Sequence, residues 1–138
     1  MRVLPKALAS ILIAEDDALL AEAITLSLEP MGYRVNRVGN GPDALRRIKH
    51  TPPDLLLLDL GLPLLDGFGV LTEMRRRRAI GQLSAKPFPV VVLTARKTIE
   101  DVSRALSLGA CDYIAKPVDL SVLGSRIAGQ LGHEVISR

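Results

Sequence analysis

The sequence predicts an α/β fold in which five parallel strands form one sheet with helices packed on both faces. Strand-like and helix-like patterns alternate five times along the chain. The strand-like segments are short continuous apolar runs, which are typical of strands buried on both faces of a parallel sheet. Right-handed crossovers between parallel strands then place the helices on both sides.

The strands are predicted from apolar runs bounded by turn residues. They cover residues 10–14, 33–38, 55–58, 89–93 and 113–115. Pro52 and Pro53 break the pattern immediately before the third strand, because proline cannot join the ladder of a central strand. The ends of these runs are therefore well marked.

The helices are predicted from apolar residues spaced three or four apart. Pro30 and Gly32 are expected to close the first helix, and Asn40 to begin the second with Pro42 in its first turn. The third helix covers about 67–77. The apolar positions, in helix order, are Leu20, Ala23, Ile24 and Leu28; Ala44, Leu45 and Ile48; Val70, Leu71 and Met74; Val102, Ala105, Leu106 and Gly109; Leu120, Leu123, Ile127 and Leu131.

The composition suits one domain with an aliphatic core. Of 138 residues, 48% are hydrophobic and only 3% aromatic, with no tryptophan. We expect a core at about 10–131 with short tails, one irregular connection at 79–88, and no output domain in this chain. The formal net charge of +3 does not indicate direct nucleic-acid contact.

The cysteine content and hydropathy indicate a cytoplasmic protein without membrane contact. The single Cys111 excludes an internal disulfide and any cysteine-based metal cage, which favours a reducing compartment. No apolar run approaches the roughly 18 residues that a spanning helix needs. The first apolar run leads into three acids rather than a cleavage site, so no signal peptide is expected.

Polar residues stand where four of the predicted strands end. Glu15 and Asp16 follow the first strand, Asp59 the third, Thr94 the fourth and Lys116 the fifth. Because ligands bind outside the carboxyl ends of strands in open α/β sheets, these side chains should collect at one edge. Carboxylates without nearby His or Cys favour Mg²⁺. The edge is therefore predicted to hold a divalent metal and a phosphoryl group.

Each of these residues also has a plain structural explanation when taken alone. The acids could simply begin a helix, where they suit the helix dipole, and we expect that role for Asp17. Thr94 could be an ordinary strand residue and Lys116 a solvated lysine. Their joint placement favours a site. There, the Asp59 carboxylate could act as a nucleophile and form an aspartyl-phosphate, with charge neutralised by Mg²⁺ and Lys116.

Four segments in order resemble the receiver domains of two-component response regulators. They read ILIAEDD (11–17), PDLLLLDLGLPLLDG (53–67), VLTA (92–95) and GACDYIAKP (109–117). The resemblance covers about residues 10–131. It implies a doubly wound (βα)5 flavodoxin-like fold with strand order 2-1-3-4-5. It also implies a cis peptide bond between Lys116 and Pro117.

The resemblance also implies a role for each site residue. Asp59 would be the phosphoacceptor, Thr94 and Lys116 would contact the phosphoryl group, and Thr94 with Tyr113 would form the switch. The Mg²⁺ ligands would be Glu15, Asp16, Asp59 and the Gly61 carbonyl. The domain would catalyse only its own phosphorylation and dephosphorylation.

The partners implied by the resemblance are proteins. The donor would be a histidine kinase or a phosphotransfer protein. The downstream partner would bind the face made by the fourth helix, fifth strand and fifth helix, with Lys97, Arg104, Tyr113 and Val118. Residues 75–78 could dock an acidic partner, although a solvated helix end is the favoured interpretation.

The chain departs from the family pattern at three places. Gly61 lacks a side chain, which bears on the lifetime of the phosphorylated state. Val118 stands where phenylalanine is common after the Lys-Pro pair, and the connection at 79–88 is longer than usual.

Two other functions remain open. One is a metal-dependent phosphatase with Asp59 as nucleophile, although neither Leu60 nor Gly61 supplies its second acid. The other is a pseudo-receiver that only binds proteins.

Overall fold

The predicted parallel sheet is present, with strand order β2-β1-β3-β4-β5. The computed structural model describes residues 7–84, 86–95 and 98–133. The elements are β1 Ser10–Ala14, α1 Ala18–Leu28, β2 Arg34–Val38, α2 Gly41–His50, β3 Leu55–Asp59, α3 Gly67–Ala79, β4 Val90–Thr94, α4 Ile99–Ser107, β5 Asp112–Ala115 and α5 Leu120–Leu131. This doubly wound topology confirms the predicted flavodoxin-like fold.

Successive residues of the central strands enter two separate apolar layers. Leu56 and Leu58 of β3 pack on one face with residues of α2 and α3, whereas Leu55 and Leu57 pack on the other with residues of α1 and α5. All five residues of β3 and all five of β4 are buried. Because the side chains of a strand alternate between faces, a continuous apolar run requires helices on both sides.

Each helix begins with a polar side chain that caps its free backbone N–H groups. Because each helix starts shortly after a strand, the caps gather at the edge where the carboxyl ends of the strands lie. The capping residues are Asp17, Asn40, Asp66, Thr98 and Asp119. The Asp17 carboxylate accepts from the N–H groups of Leu19 and Leu20, which confirms its expected structural role.

The end of the first helix agrees with the sequence prediction, whereas the end of the fourth differs from it. The segment Glu29–Met31, which includes Pro30, forms a 3-10 turn between α1 and Gly32, which has φ of 102°. The fourth helix ends at Ser107, so the expected inclusion of Gly109 is wrong. Gly109 has φ of 112°, a left-handed conformation that glycine adopts at little cost and that lets the chain turn into β5.

The arginine run at the end of α3 is exposed at Arg75 and Arg76, as expected for a solvated helix end, but not at Arg78. Arg76 and Arg77 pair with Glu73 of the same helix. The Arg78 guanidinium lies 4.9 Å from the centroid of the Phe88 ring. Its Nε is buried and has no hydrogen-bond partner among the described residues. Phe88, which lies just before β4, therefore packs against the end of α3 through this contact.

Candidate functional site

The strand ends bring the predicted site residues together at one edge of the sheet. In the register of the sheet, Ala14 pairs with Leu58, Asp59 with Leu93, and Thr94 with Ala115. Glu15 follows Ala14 and Lys116 follows Ala115, so their side chains meet across the central strands. Glu15, Asp59 and Thr94 are buried, whereas Asp16 is exposed.

Three carboxyl groups form a cluster suited to a hard cation. Glu15, Asp16 and Asp59 each offer an oxygen atom within 4.8 Å of the others. The Oε2 atom of Glu15 is buried and has no hydrogen-bond partner among the described residues. A bound cation, or water attached to it, would satisfy this oxygen. An all-oxygen donor set with one open, solvent-facing acid fits Mg²⁺.

Lys116 lies between the two buried acids of this cluster. Its Nζ donates to Oε1 of Glu15 at 2.6 Å and lies 3.3 Å from Oδ2 of Asp59. The backbone N–H of Lys116 donates to the carbonyl of Thr94 at 2.9 Å, which ties this residue to the end of β4. The predicted cis bond to Pro117 is confirmed.

The pKa values of the two buried acids shift in opposite directions. Burial, followed by the neighbouring Asp59, raises the pKa of Glu15 to about 8, although Lys116 opposes this change. Burial also acts to raise the pKa of Asp59, but interactions with Glu15, the Gly61 amide and Lys116 together lower it. The metal-free site therefore keeps Asp59 as a carboxylate and places the extra proton on Glu15.

The space in front of Asp59 is left open by glycine. The Gly61 N–H donates to Oδ1 of Asp59 at 2.9 Å. A Cβ at position 61 would lie 3.6 Å from Oδ1 and 3.9 Å from Oδ2, so a side chain there would border the carboxylate.

A Cβ at Gly67 would come within 2.7 Å of the Asp59 carbonyl, so α3 can begin this close to β3 only with glycine.

The predicted switch residues lie at different depths. Thr94 is buried at the end of β4, whereas Tyr113 is 41% exposed on β5. Tyr113 lines a surface cavity of about 270 Å³ with Ile99 and Val102 of α4. The structure therefore brings Thr94, but not Tyr113, to the acid cluster.

The charged residues expected on the face of α4, β5 and α5 do not all lie there. The Arg104 guanidinium is 4.2 Å from the centroid of the Phe68 ring, so this side chain packs toward α3 rather than toward β5. Its expected place on that face is wrong, because an aromatic ring offers the cation a favourable contact. Lys97 lies outside the described residues. The described part of the face combines the cavity lined by Ile99, Val102 and Tyr113 with an ion pair between Arg126 of α5 and Asp112 of β5.

One residue at the site has no counterpart in the sequence analysis. Arg37, near the end of β2, donates through Nε to the Glu15 carbonyl and through a terminal nitrogen to the Asp16 carbonyl, each at 2.9 Å. Spacing along the chain carries no signal for this contact. The strand order could have revealed it, because β2 lies beside β1 and Arg37 is in register with Ile13.

Comparison with known proteins identifies the family of this fold and site. A family model described as "Response regulator receiver domain" matches residues 11–128, most of the chain. The chain belongs to this family. Receiver domains are signalling domains of two-component systems, in which phosphoryl acceptance is the general function. They interact with histidine kinases and downstream effectors.

Relatives of this receiver domain include regulators and separately solved receivers. It is 39% identical over 122 residues to the transcriptional regulatory protein AfsQ1 of Streptomyces coelicolor, covering 88% of this chain and 51% of that protein. A putative response regulator of Chloroflexus aurantiacus has a TM-score of 0.78 and 33% identity, covering 91% of this chain and 98% of that one. The chain spans about half the length of the curated relatives it matches.

A third relative bears on the acid cluster. The receiver domain of a sensor histidine kinase of Pseudomonas aeruginosa has a TM-score of 0.75 and 31% identity, covering 90% of this chain and 98% of that one. That structure has a magnesium ion coordinated in its active-site cleft. In the described part of the present receiver domain, no helix has the length and apolar character required to span a membrane.

Proposed function

We propose that this receiver domain accepts a phosphoryl group on Asp59 from a histidine kinase or a phosphotransfer protein, in a Mg²⁺-dependent reaction. The observation that carries the proposal is the contact of Lys116 with both buried acids, 2.6 Å from Glu15 and 3.3 Å from Asp59. This arrangement keeps Asp59 deprotonated and places a cation where the phosphoryl charge would arrive.

Asp59 is the nucleophile in this proposal. One of its carboxylate oxygens forms a bond to phosphorus as the bond between phosphorus and the donor nitrogen breaks, which gives an aspartyl-phosphate. Lys116 neutralises charge on the transferred phosphoryl oxygens, and the Thr94 hydroxyl donates to one of them. Most of the catalysis comes from positioning and charge neutralisation.

The proposed metal ligands are the carboxylates of Asp16 and Asp59 and the carbonyl of Gly61. Glu15 acts mainly through water, which agrees with its buried, unpartnered Oε2 atom. When bound, Mg²⁺ supplies positive charge beside the phosphoryl oxygens. In its absence, Lys116 and the proton held by Glu15 together offset the charge of the two buried acids.

The proposed output is a shift between two conformations rather than a new fold. Thr94 moves toward the phosphoryl oxygens, and the Tyr113 ring turns into the space that this movement vacates. The cavity between Tyr113 and α4 gives the ring room to move. The repacked face of α4, β5 and α5 then binds a downstream protein.

Three further points belong to the same proposal. Residues 10–131 act as one receiver unit in the cytoplasm. The unit contacts proteins rather than nucleic acid or membrane. Its chemistry is limited to its own phosphorylation and dephosphorylation, because the residues beside Asp59, namely Leu60 and Gly61, offer no second acid for a hydrolase.

Incubation with Mg²⁺ and acetyl phosphate, followed by intact mass spectrometry, tests the proposed function. The expected result is a gain of one phosphoryl group when Mg²⁺ is present, and no gain when Mg²⁺ is removed before acetyl phosphate is added. Rapid hydrolysis of a general phosphomonoester such as p-nitrophenyl phosphate, with no phosphorylated chain detected, would instead indicate a hydrolase. A chain that remains unmodified at saturating Mg²⁺ would indicate a binding module and overturn the proposal.

A further inference from the structure

The turn that carries the two metal-site acids is held by a side chain from the neighbouring strand. Arg37 donates from Nε to the carbonyl of Glu15 and from a terminal nitrogen to the carbonyl of Asp16, both at 2.9 Å. These two carbonyls belong to the residues whose side chains enter the acid cluster. A single guanidinium thus bridges two successive peptide groups at the site.

The course of the chain explains why these carbonyls need a donor. The ladder between β1 and β2 extends to the Glu15 N–H, which donates to the Val38 carbonyl at 3.0 Å. Beyond that bond, β2 ends and Asn40 caps α2, while Asp17 caps α1. The Glu15 and Asp16 carbonyls thus lie between the ladder and the helix, where neither element supplies a partner.

The charge of Arg37 is directed at the backbone rather than at the acids. No carboxylate of the described residues forms an ion pair with this guanidinium. The planar fork of an arginine can serve two acceptors at once, which a lysine ammonium at the end of a flexible stem does less well. The contact therefore restrains the backbone of the turn more than it neutralises the acid cluster.

We propose that Arg37 is a positioning residue for the metal site, which holds the Glu15–Asp16 turn so that both carboxylates face the cation position before it is filled. This inference rests on the proposed Mg²⁺ role of the acids and extends it to a residue outside the cluster. Preorganisation of this kind lowers the cost of ordering ligands when the cation binds.

Loss of the two hydrogen bonds from Arg37 should weaken Mg²⁺ binding, whereas loss of its positive charge near the site should strengthen it. Variants of Arg37 can therefore separate the two contributions. If Arg37 positions the turn, Arg37→Ala should raise the Mg²⁺ concentration for half-saturation by about tenfold, as is typical for loss of a group that orients metal ligands. Arg37→Lys should behave nearly as poorly, because it keeps the charge but loses the fork. Arg34→Ala, which removes a charge at the opposite end of β2, should match the wild type.

Calorimetric titration of the full chain with MgCl₂ measures these half-saturation values without any phosphodonor. In the metal-free protein, NMR relaxation of the backbone amides should also show greater motion of residues 15–17 in Arg37→Ala than in the wild type. The amides of the rest of the sheet should be unchanged. If Arg37→Ala unfolds, Arg37→Gln replaces it in this test. Its single amide nitrogen cannot serve both carbonyls as the guanidinium does, so it should also bind Mg²⁺ more weakly than the wild type.

Two results would overturn the inference. One is tighter or unchanged Mg²⁺ binding in Arg37→Ala. The other is wild-type binding by Arg37→Lys, which would show that only the charge matters. A wild-type chain that binds Mg²⁺ but is never phosphorylated would refute the proposed function and leave this test valid.

Discussion

Lys116 Nζ lies 2.6 Å from Oε1 of Glu15, a residue 101 positions away in the chain. The same nitrogen lies 3.3 Å from Oδ2 of Asp59. The ammonium of Lys116, which follows β5, thus contacts one acid at the end of β1 and one at the end of β3. Glu15 and Asp59 would repel each other if both were ionised, because their carboxyl oxygens lie within 4.8 Å. Their proximity therefore requires either this ammonium or a proton on one of the acids.

Lys116→Met should slow the phosphorylation of Asp59 strongly while the protein remains folded. Loss of one preorganised group that stabilises developing charge typically costs about 100-fold in rate or more. The measurement is the rate of mass gain with acetyl phosphate at saturating Mg²⁺. Lys86→Met serves as the control, because Lys86 is an exposed lysine on the 79–88 connection. An equal rate in Lys116→Met and the wild type would contradict the assigned role.

Glu15 should make the metal-free protein less stable as the pH rises. Its pKa is raised from 4.5 to about 8, mainly by burial, so the folded state holds a proton that the unfolded state has released. Stabilisation from this group is therefore complete below pH 4.5 and is lost as the pH rises toward 8. The slope is at most about 1.4 kcal/mol per pH unit.

Urea unfolding between pH 5 and pH 8, without metal, measures this slope. Glu15→Gln removes the titrating group and should flatten the dependence. Saturating Mg²⁺ should also flatten it, because the cation favours the carboxylate form. If the wild type and Glu15→Gln show the same slope, the proton resides elsewhere.

Mg²⁺ should stabilise the fold through the acid cluster. At a concentration ten times the dissociation constant, binding to the folded state alone adds about 1.4 kcal/mol to the free energy of unfolding. Asp16→Asn should remove most of this gain in a thermal melt. Asp17→Asn is the matched control, because Asp17 caps α1 and asparagine caps equally well. A melting temperature that ignores Mg²⁺ in the wild type would argue against the site.

Thr94→Ala should separate phosphorylation from the conformational response. Asp59 and Lys116 are retained, so the variant should still gain a phosphoryl group. Without the hydroxyl, the amide signals of α4 and β5 should shift much less on phosphorylation than in the wild type. Thr94→Ser keeps the hydroxyl and should respond normally. A full response in phosphorylated Thr94→Ala would exclude this coupling.

The strands and the site edge were predictable because burial and chemistry coincide in the sequence. Four-leucine runs such as 55–58 occur where a strand is covered on both faces, and Asp59 follows at the point where that cover ends. The receiver resemblance then supplied the strand order, which apolar periodicity alone does not contain. Glu15, Asp59, Thr94 and Lys116 all lie where this combination placed them.

Contacts between side chains distant in the chain were not predictable. Tyr33 and His133 stack with ring centroids 5.7 Å apart and share a hydrogen bond of 3.0 Å, yet the pattern that placed Tyr33 at the start of a strand gives no sign of this contact. Arg78 was expected at a solvated helix end and Arg104 on the partner-binding face, but they pack on Phe88 and Phe68. Such contacts depend on rotamers and on which helices become neighbours, which a one-dimensional pattern does not encode.

The central claim is that Asp59 carries the phosphoryl group, and the most direct measurement is mass spectrometry of Asp59→Asn after incubation with Mg²⁺ and acetyl phosphate. Asparagine keeps the shape of the side chain but lacks the nucleophilic carboxylate. Asp66→Asn is the control, since Asp66 caps α3 at the same edge and asparagine preserves a cap. We expect one phosphoryl group on the wild type and on Asp66→Asn, and none on a folded Asp59→Asn. Labelling of Asp59→Asn at the wild-type rate would contradict the account.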